Sequence, residues 1–270
     1  MSTAPSVITI AGSDSSGGAG IQADLKTFAA LGVYGTSAVT AITAQNTMDV
    51  VETMALPADL VTAQIETVAA DITLAATKTG MLATAAIVEA VAAAIKELDL
   101  PLVVVDPVMI SKSGAALLDA DGIAMLKAEL LPCAAVVTPN VPEAETLSGR
   151  RIESIEQARA AAVAIHALGA AAVVITGGHL SGDDIVDLLF DGAMFTELQT
   201  ARLHTQNTHG TGCTFASAIA AHLARGHSLV DAVVHAQAYV HGAIEHALSI
   251  GRGHGPLNHF WRSSPTSTPL

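Results

Sequence analysis

The sequence predicts one α/β domain built on a mostly parallel sheet. Short β-branched runs alternate with longer Ala-rich amphipathic segments, the pattern of βα units feeding a parallel sheet. Aromatic residues make up only 3% of the chain, so Ala, Val, Ile and Leu must do the packing, which suits close helix-on-sheet contact. The 270 residues, 51% hydrophobic, are enough for one large core, and no repeat or linker-like stretch divides them. Residues 1–262 therefore read as a single domain and the Ser/Thr/Pro-rich 263–270 as a flexible tail.

Taken in order, strands are expected at VITIA (7–11), SAVTAIT (37–43), LVVVD (102–106), AVVTPN (135–140) and AVVIT (172–176). Crossover helices are expected at 83–98, 120–131 and 155–168, the last stopped by Gly169. From Ile185 to Leu198 two short strands around Asp191 and Gly192 read as an edge hairpin, and two helices complete the domain. In open sheets of this kind ligands bind beyond the carboxyl ends of the strands, so the polar residues that follow each strand are the ones to inspect.

Composition excludes several classes. A formal charge of −13 argues against a nucleic-acid surface, and an anionic substrate would need a local site of helix N-termini, metal and a few lysines. Cys133 and Cys213 are too few for a disulfide framework, which fits a reducing cytoplasm. No basic leader or membrane-length apolar run is present, so no membrane partner is expected.

The stretch THGTGCTF (208–215) is the most informative. Phe215, Ile219 and Leu223 recur at helical spacing before Gly226, so Gly210, Thr211, Gly212 and Cys213 fall at the helix's first turn, where free N–H groups favour an anion. The same dipole is expected to lower the thiol pKa of Cys213. An ordinary glycine-rich helix start with a buried cysteine would look the same.

Gly12 to Gly20 after the first strand is neither a Walker A loop nor a GxGxxG fingerprint. Its backbone can lie against a flat ligand, with Asp24 offering a carboxylate to ring N–H groups or else charging the first helical turn. The amide of Gln45 suits a heteroaromatic edge or a turn. Asp106, Asn140 and Glu143 suggest a magnesium and phosphate site, although Asn140 and Glu143 also have the spacing of helix caps. Lys112, in the polar loop 110–114, could close over a triphosphate as a mobile cation, and Thr176 ends a strand near the expected nucleotide.

With these residues in hand, the chain resembles the bacterial hydroxymethylpyrimidine/phosphomethylpyrimidine kinases of thiamin synthesis, in the ribokinase-like superfamily. The resemblance runs from about Val7 to His246 and is carried by AGSDSSGGAGIQADLKTF, TAQNT, KTGML, DPVMISKSG, TPNVPEAE and THGTGCTFASAIAAHLARG. It implies a three-layer α/β/α sandwich, a homodimer, dependence on ATP and Mg²⁺, and two successive phosphorylations of 4-amino-5-hydroxymethyl-2-methylpyrimidine. It also implies that Gln45 recognises the pyrimidine, with Gly12, Asp24, Met81 and Val108 around the ring. Asn140, Thr176 and Lys112 would contact ATP, Asp106 and Glu143 would hold the metal, and Gly210 to Cys213 would form the anion hole. Thr176 departs from the lysine usual in relatives. A pyridoxal kinase is the nearest alternative, and a non-catalytic pyrimidine-binding domain is the alternative from another class.

Overall fold

The computed structural model describes residues 4–111, 114, 116–179 and 184–263. Its strands are β1 (Ser6–Asp14), β2 (Tyr34–Gln45), β3 (Val50–Ala55), β4 (Leu74–Thr79), β5 (Val103–Val105), β6 (Val136–Val137), β7 (Val173–Ile175), β8 (Asp184–Phe190) and β9 (Phe195–Ala201). The helices are α1 (Gly20–Ala30), α2 (Ala58–Asp71), α3 (Ala85–Glu97), α4 (Ala120–Met125), α5 (Val141–Ser148), α6 (Ile155–His166), α7 (Thr211–Ala224) and α8 (Leu229–Glu245). All the strands join one sheet in the order β3-β2-β1-β4-β5-β6-β7-β8-β9. Pairing from β2 through β7 is parallel, while β3 and the β8–β9 hairpin add antiparallel edges.

Strand alternation divides the core into two layers. Val103, Val105, Val137, Val173 and Ile175 face a cluster with Val61 and Ile65 of α2, Val88 and Val91 of α3, and Ala161 and Ile165 of α6. The residues between them, Val104, Val136 and Val174, face Phe28 of α1, Phe215 and Ile219 of α7, and Val233 and Tyr239 of α8. Side chains of a strand point alternately to opposite faces, so each β-branched run supplies both layers at once. The result is the expected three-layer sandwich. Among the described residues no helix is long and apolar enough to cross a membrane.

The expected strands are all present, as are the edge hairpin and the two closing helices. The expected helix at 120–131 is α only to Met125 and continues as a π turn over Leu126–Leu130 and a 3₁₀ turn over Leu131–Cys133, where Pro132 cannot donate an intrahelical bond. Strands β3 and β4 and helix α2 add to the sequence reading. Residues 264–270, most of the expected tail, and Lys112 lie outside the described residues.

Candidate active site

The carboxyl ends of the parallel strands and the start of α7 enclose a cleft of about 930 Å³. Its floor is a buried charge cluster. Lys78, on β4, is fully buried, with Nζ 2.9 and 3.1 Å from the two carboxylate oxygens of Asp24 and 4.0 Å from Asp106 Oδ2. Burial alone would drive Lys78 towards the neutral amine. The charge of Asp24, with Asp106 behind it, reverses this and raises its pKa above the ordinary range.

Asp24 does not reach the cleft. Besides Lys78, its oxygens accept hydrogen bonds from Thr9 Oγ1 and Ser217 Oγ, both at 2.6 Å, and it is absent from the cleft wall. This corrects its expected contact with a ligand ring. A carboxylate on the inward face of α1 needs a buried counter-charge, and Lys78 supplies it. Lys78 itself was not anticipated as a site residue, although a lysine inside the apolar run LAATKTGML is a usable signal: a charge in a central strand must have a partner.

Asp106 follows β5 and is buried, and its Oδ2 has no hydrogen-bond partner. Burial and the Asp24 charge push its carboxyl up to about 6 against the pull of Lys78. A Cβ added to Gly212 would lie 3.8 Å from Asp106 Oδ1, so the carboxylate faces the first turn of α7. Glu143 is pushed up to about 8, first by burial and then by the charge of Asp106. Two hard oxygen donors that resist ionisation side by side, one with an unsatisfied buried oxygen, fit a divalent cation such as Mg²⁺.

Asn140 and Glu143 are also the helix caps that their spacing allowed. Asn140 Oδ1 accepts from the Glu143 N–H at 3.0 Å and Glu143 Oε2 accepts from the Asn140 N–H at 2.9 Å, a complete capping box on α5. Both nevertheless line the cleft, so the two readings coexist. Thr176 sits beside them, its N–H donating to Pro139 O at 3.0 Å, and it too lines the cleft.

At the other wall, Gly210 caps α7 with φ +83°, and a Cβ there would collide with the carbonyl of Gly18. Only glycine permits this contact between the helix start and the 12–20 loop. Gly210, Thr211, Gly212 and Cys213 all line the cleft. The Cys213 thiol is pushed up to about 12 by the protein packed around it and by Asp106 and Asp24, which outweigh Lys78 and the hydrogen bond from the Gly20 N–H. This overturns the expected lowering: burial, which disfavours the thiolate, is the largest effect, and the two nearby carboxylates add to it.

The loop itself is held by Asp14, a residue the sequence reading passed over. Asp14 accepts from the N–H groups of Ser16, Gly18 and Ala19, from Ser16 Oγ, and from His209 Nε2 at 2.8 Å. Burial opposes its charge, yet His209 and these donors hold its carboxyl at about 2. Gly12, Gln45, Met81 and Val108 line the same cleft. A Cβ on Gly12 would lie 2.7 Å from Met81 Cε, so the glycine is what lets Met81 in. Gln45 accepts from Thr43 Oγ1 at 3.1 Å and lies 3.5 Å from His209 Nε2.

The phosphomethylpyrimidine kinase family model matches residues 14–258, nearly the whole described chain. The chain belongs to this family. The hydroxymethylpyrimidine/phosphomethylpyrimidine kinase of Bacillus subtilis is 50% identical over 254 residues, covering 94% of each chain. The thiamine biosynthesis bifunctional protein ThiED of Geobacter sulfurreducens is 52% identical over 94% of this chain, which spans about half the length of that relative. Among solved structures, the pyridoxal kinase of Staphylococcus aureus in complex with AMP-PCP and pyridoxal superposes with a TM-score of 0.88 at 40% identity, covering 97% of this chain and 96% of that one. Within the phosphomethylpyrimidine kinase family, then, this member places twelve of the fourteen residues singled out from sequence around one cleft. Of the two others, Asp24 lies beneath it and Lys112 lies outside the described residues.

Proposed function

We propose that this kinase transfers the γ-phosphoryl group of ATP to the hydroxymethyl oxygen of 4-amino-5-hydroxymethyl-2-methylpyrimidine, and a second phosphoryl group to the resulting monophosphate. The observation that carries the reading is the unpartnered oxygen of Asp106 facing the glycine-rich start of α7. Phosphoryl transfer is mainly a problem of positioning and of stabilising charge on the transferred group. The N–H groups at Gly210 to Cys213 supply fixed dipoles, and Asp106 and Glu143 would hold Mg²⁺, which neutralises phosphate charge when bound. Asn140 and Thr176 face the nucleotide, Thr176 through its hydroxyl. Lys112 supplies a further cation. Gln45, Gly12, Met81 and Val108 hold the pyrimidine.

As a thiolate, Cys213 would accept the hydroxymethyl proton in the first transfer. Its thiol is pushed up to about 12, chiefly by burial, so it must first release its own proton to solvent; Lys78 favours that release, and a cation held by Asp106 would offset one of the carboxylate charges that oppose it. The second transfer uses an oxygen of a phosphate already ionised near neutral pH and needs no base. Cys213→Ala should therefore slow the first transfer by about 10²-fold and the second by much less. Equal losses in both would assign the residue to packing or to the anion hole.

The similarity to pyridoxal kinases favours pyridoxal as the competing substrate. Purified protein with MgATP should give a diphosphate from the hydroxymethylpyrimidine and from its monophosphate. Turnover of pyridoxal alone would move the activity to vitamin B6, and tight pyrimidine binding without turnover would leave a binding domain. We place the enzyme in a reducing cytoplasm, in keeping with its two free cysteines. We also propose a homodimer through the β2–β3 edge, where Ile42 and Met54 are exposed and Val51 is 76% exposed. Sedimentation should give twice the chain mass, reduced to the chain mass by Val51→Glu; a monomeric parent protein would remove the proposal.

A further inference from the structure

We propose that His222, His227 and His235 form a binding site for a late first-row divalent cation of the zinc class, separate from the kinase cleft. His222 lies in the last turn of α7. Gly226, at φ +84°, reverses the chain there, and the N–H of His227 donates back to the carbonyl of His222 at 3.2 Å, bringing the second ring over the first. Helix α8 packs against α7 and delivers His235. The ring centroids are 5.2, 5.0 and 5.0 Å apart, and one ring nitrogen from each residue falls within 4.8 Å of the others. This is the one such group of potential ligands found among the described residues.

The independent pointer to a ligand is His222. The residue is only 5% exposed, both ring nitrogens are buried, and neither has a hydrogen-bond partner. A buried imidazole with both nitrogens unsatisfied costs stability unless something fills its lone pair. Tetrahedral Zn²⁺ with Zn–N bonds of about 2.0–2.1 Å needs nitrogens about 3.3 Å apart. Closing the triad from 4.8 Å falls to the partly buried His227 and the exposed His235, while His222 stays fixed in the core. The exposed side leaves the fourth position for water.

Three imidazoles suit zinc, copper or nickel and give no foothold to Mg²⁺ or Ca²⁺. Arg225 and Arg262 both disfavour positive charge at His222, so an ion held there must draw its affinity from nitrogen bonds. Arg225 is tied to Leu31 O at 3.3 Å, and Arg262 lies over the rings of Trp261 and Tyr239. The site clamps the far end of the helix whose first turn forms the anion hole, about 13 Å along its axis from Cys213.

The test is a calorimetric titration of ZnCl₂ into the tag-free protein in excess Mg²⁺, repeated on His227→Ala and His235→Ala. The parent protein should bind about one Zn²⁺ per chain, with a dissociation constant in the micromolar range or tighter, and each substitution should weaken it by about tenfold or more. Both variants should retain the parent kinase rate with MgATP, and Co²⁺ should show ligand-field absorption in the parent protein that both lose. Millimolar binding in the parent would overturn the proposal. So would Zn²⁺ binding that survives both substitutions, because the metal would then sit elsewhere, with Cys213 and the cleft carboxylates as the first alternative.

Discussion

Replacing Lys78 by methionine should cost about 3–5 kcal/mol of stability, enough to unfold a large share of the protein. The side chain is fully buried, and its removal would leave the Asp24 carboxylate with Thr9 and Ser217 as donors and no counter-charge, with the charge of Asp106 nearby. Methionine fills much of the same volume, so the loss would come from the unpaired charge and not from a cavity. Chemical denaturation of the single variant and of Lys78→Met combined with Asp24→Leu separates these causes. The double variant should recover most of the loss, since an apolar pair of similar volume can replace a buried ion pair at little cost. A single variant within about 1 kcal/mol of the parent would show that the pair is not what holds this part of the core. The double variant, though folded, should still lack kinase activity, because Asp106 and Cys213 would lose the ammonium beside them.

Asp106→Asn should do the opposite: leave stability unchanged or raise it while lowering kcat by about 10³-fold. The carboxylate is buried, burial and the Asp24 charge push its pKa up to about 6 against the pull of Lys78, and Oδ2 has no hydrogen-bond partner, so its charge is a net cost to the fold. An amide of the same shape removes that expense. It also removes the anionic oxygen that would hold Mg²⁺ opposite the N–H groups of α7. Thermal unfolding together with steady-state kinetics reads both effects. Activity within about tenfold of the parent would sink the metal assignment.

Much of this architecture is legible in the sequence because each central strand is a β-branched run bounded by turn residues. Strand β4 escaped because LAATKT carries two alanines and a lysine where its neighbours carry valines. Helix α2 escaped because its buried stripe is short, only Val61 and Ile65 being fully covered. The cleft residues were legible because they follow strands, and strand ends converge. What was not legible depends on groups far apart in the chain. Lys78 and Asp24 are 54 residues apart, so neither the partner of the lysine nor the inward direction of the carboxylate can be read locally. The same holds for Cys213, whose thiol answers first to its burial by other elements and then to their charges. Asn140 and Glu143 show the converse case, since a cap is a local feature and its spacing was sufficient to find it.

The loop that Asp14 gathers has a consequence for the timing of recognition. With one carboxylate collecting donors from Ser16, Gly18, Ala19 and His209, the backbone of this segment has lost its freedom before any ligand arrives. Ordering a residue costs roughly 1–2 kcal/mol in conformational entropy, and here folding has already met that cost. An incoming ring therefore meets a preorganised wall, and its affinity need not be reduced by the work of arranging it. Discrimination between a pyrimidine and a pyridine would then fall to the few contacts at Gln45 and Met81, with little help from closure of the loop.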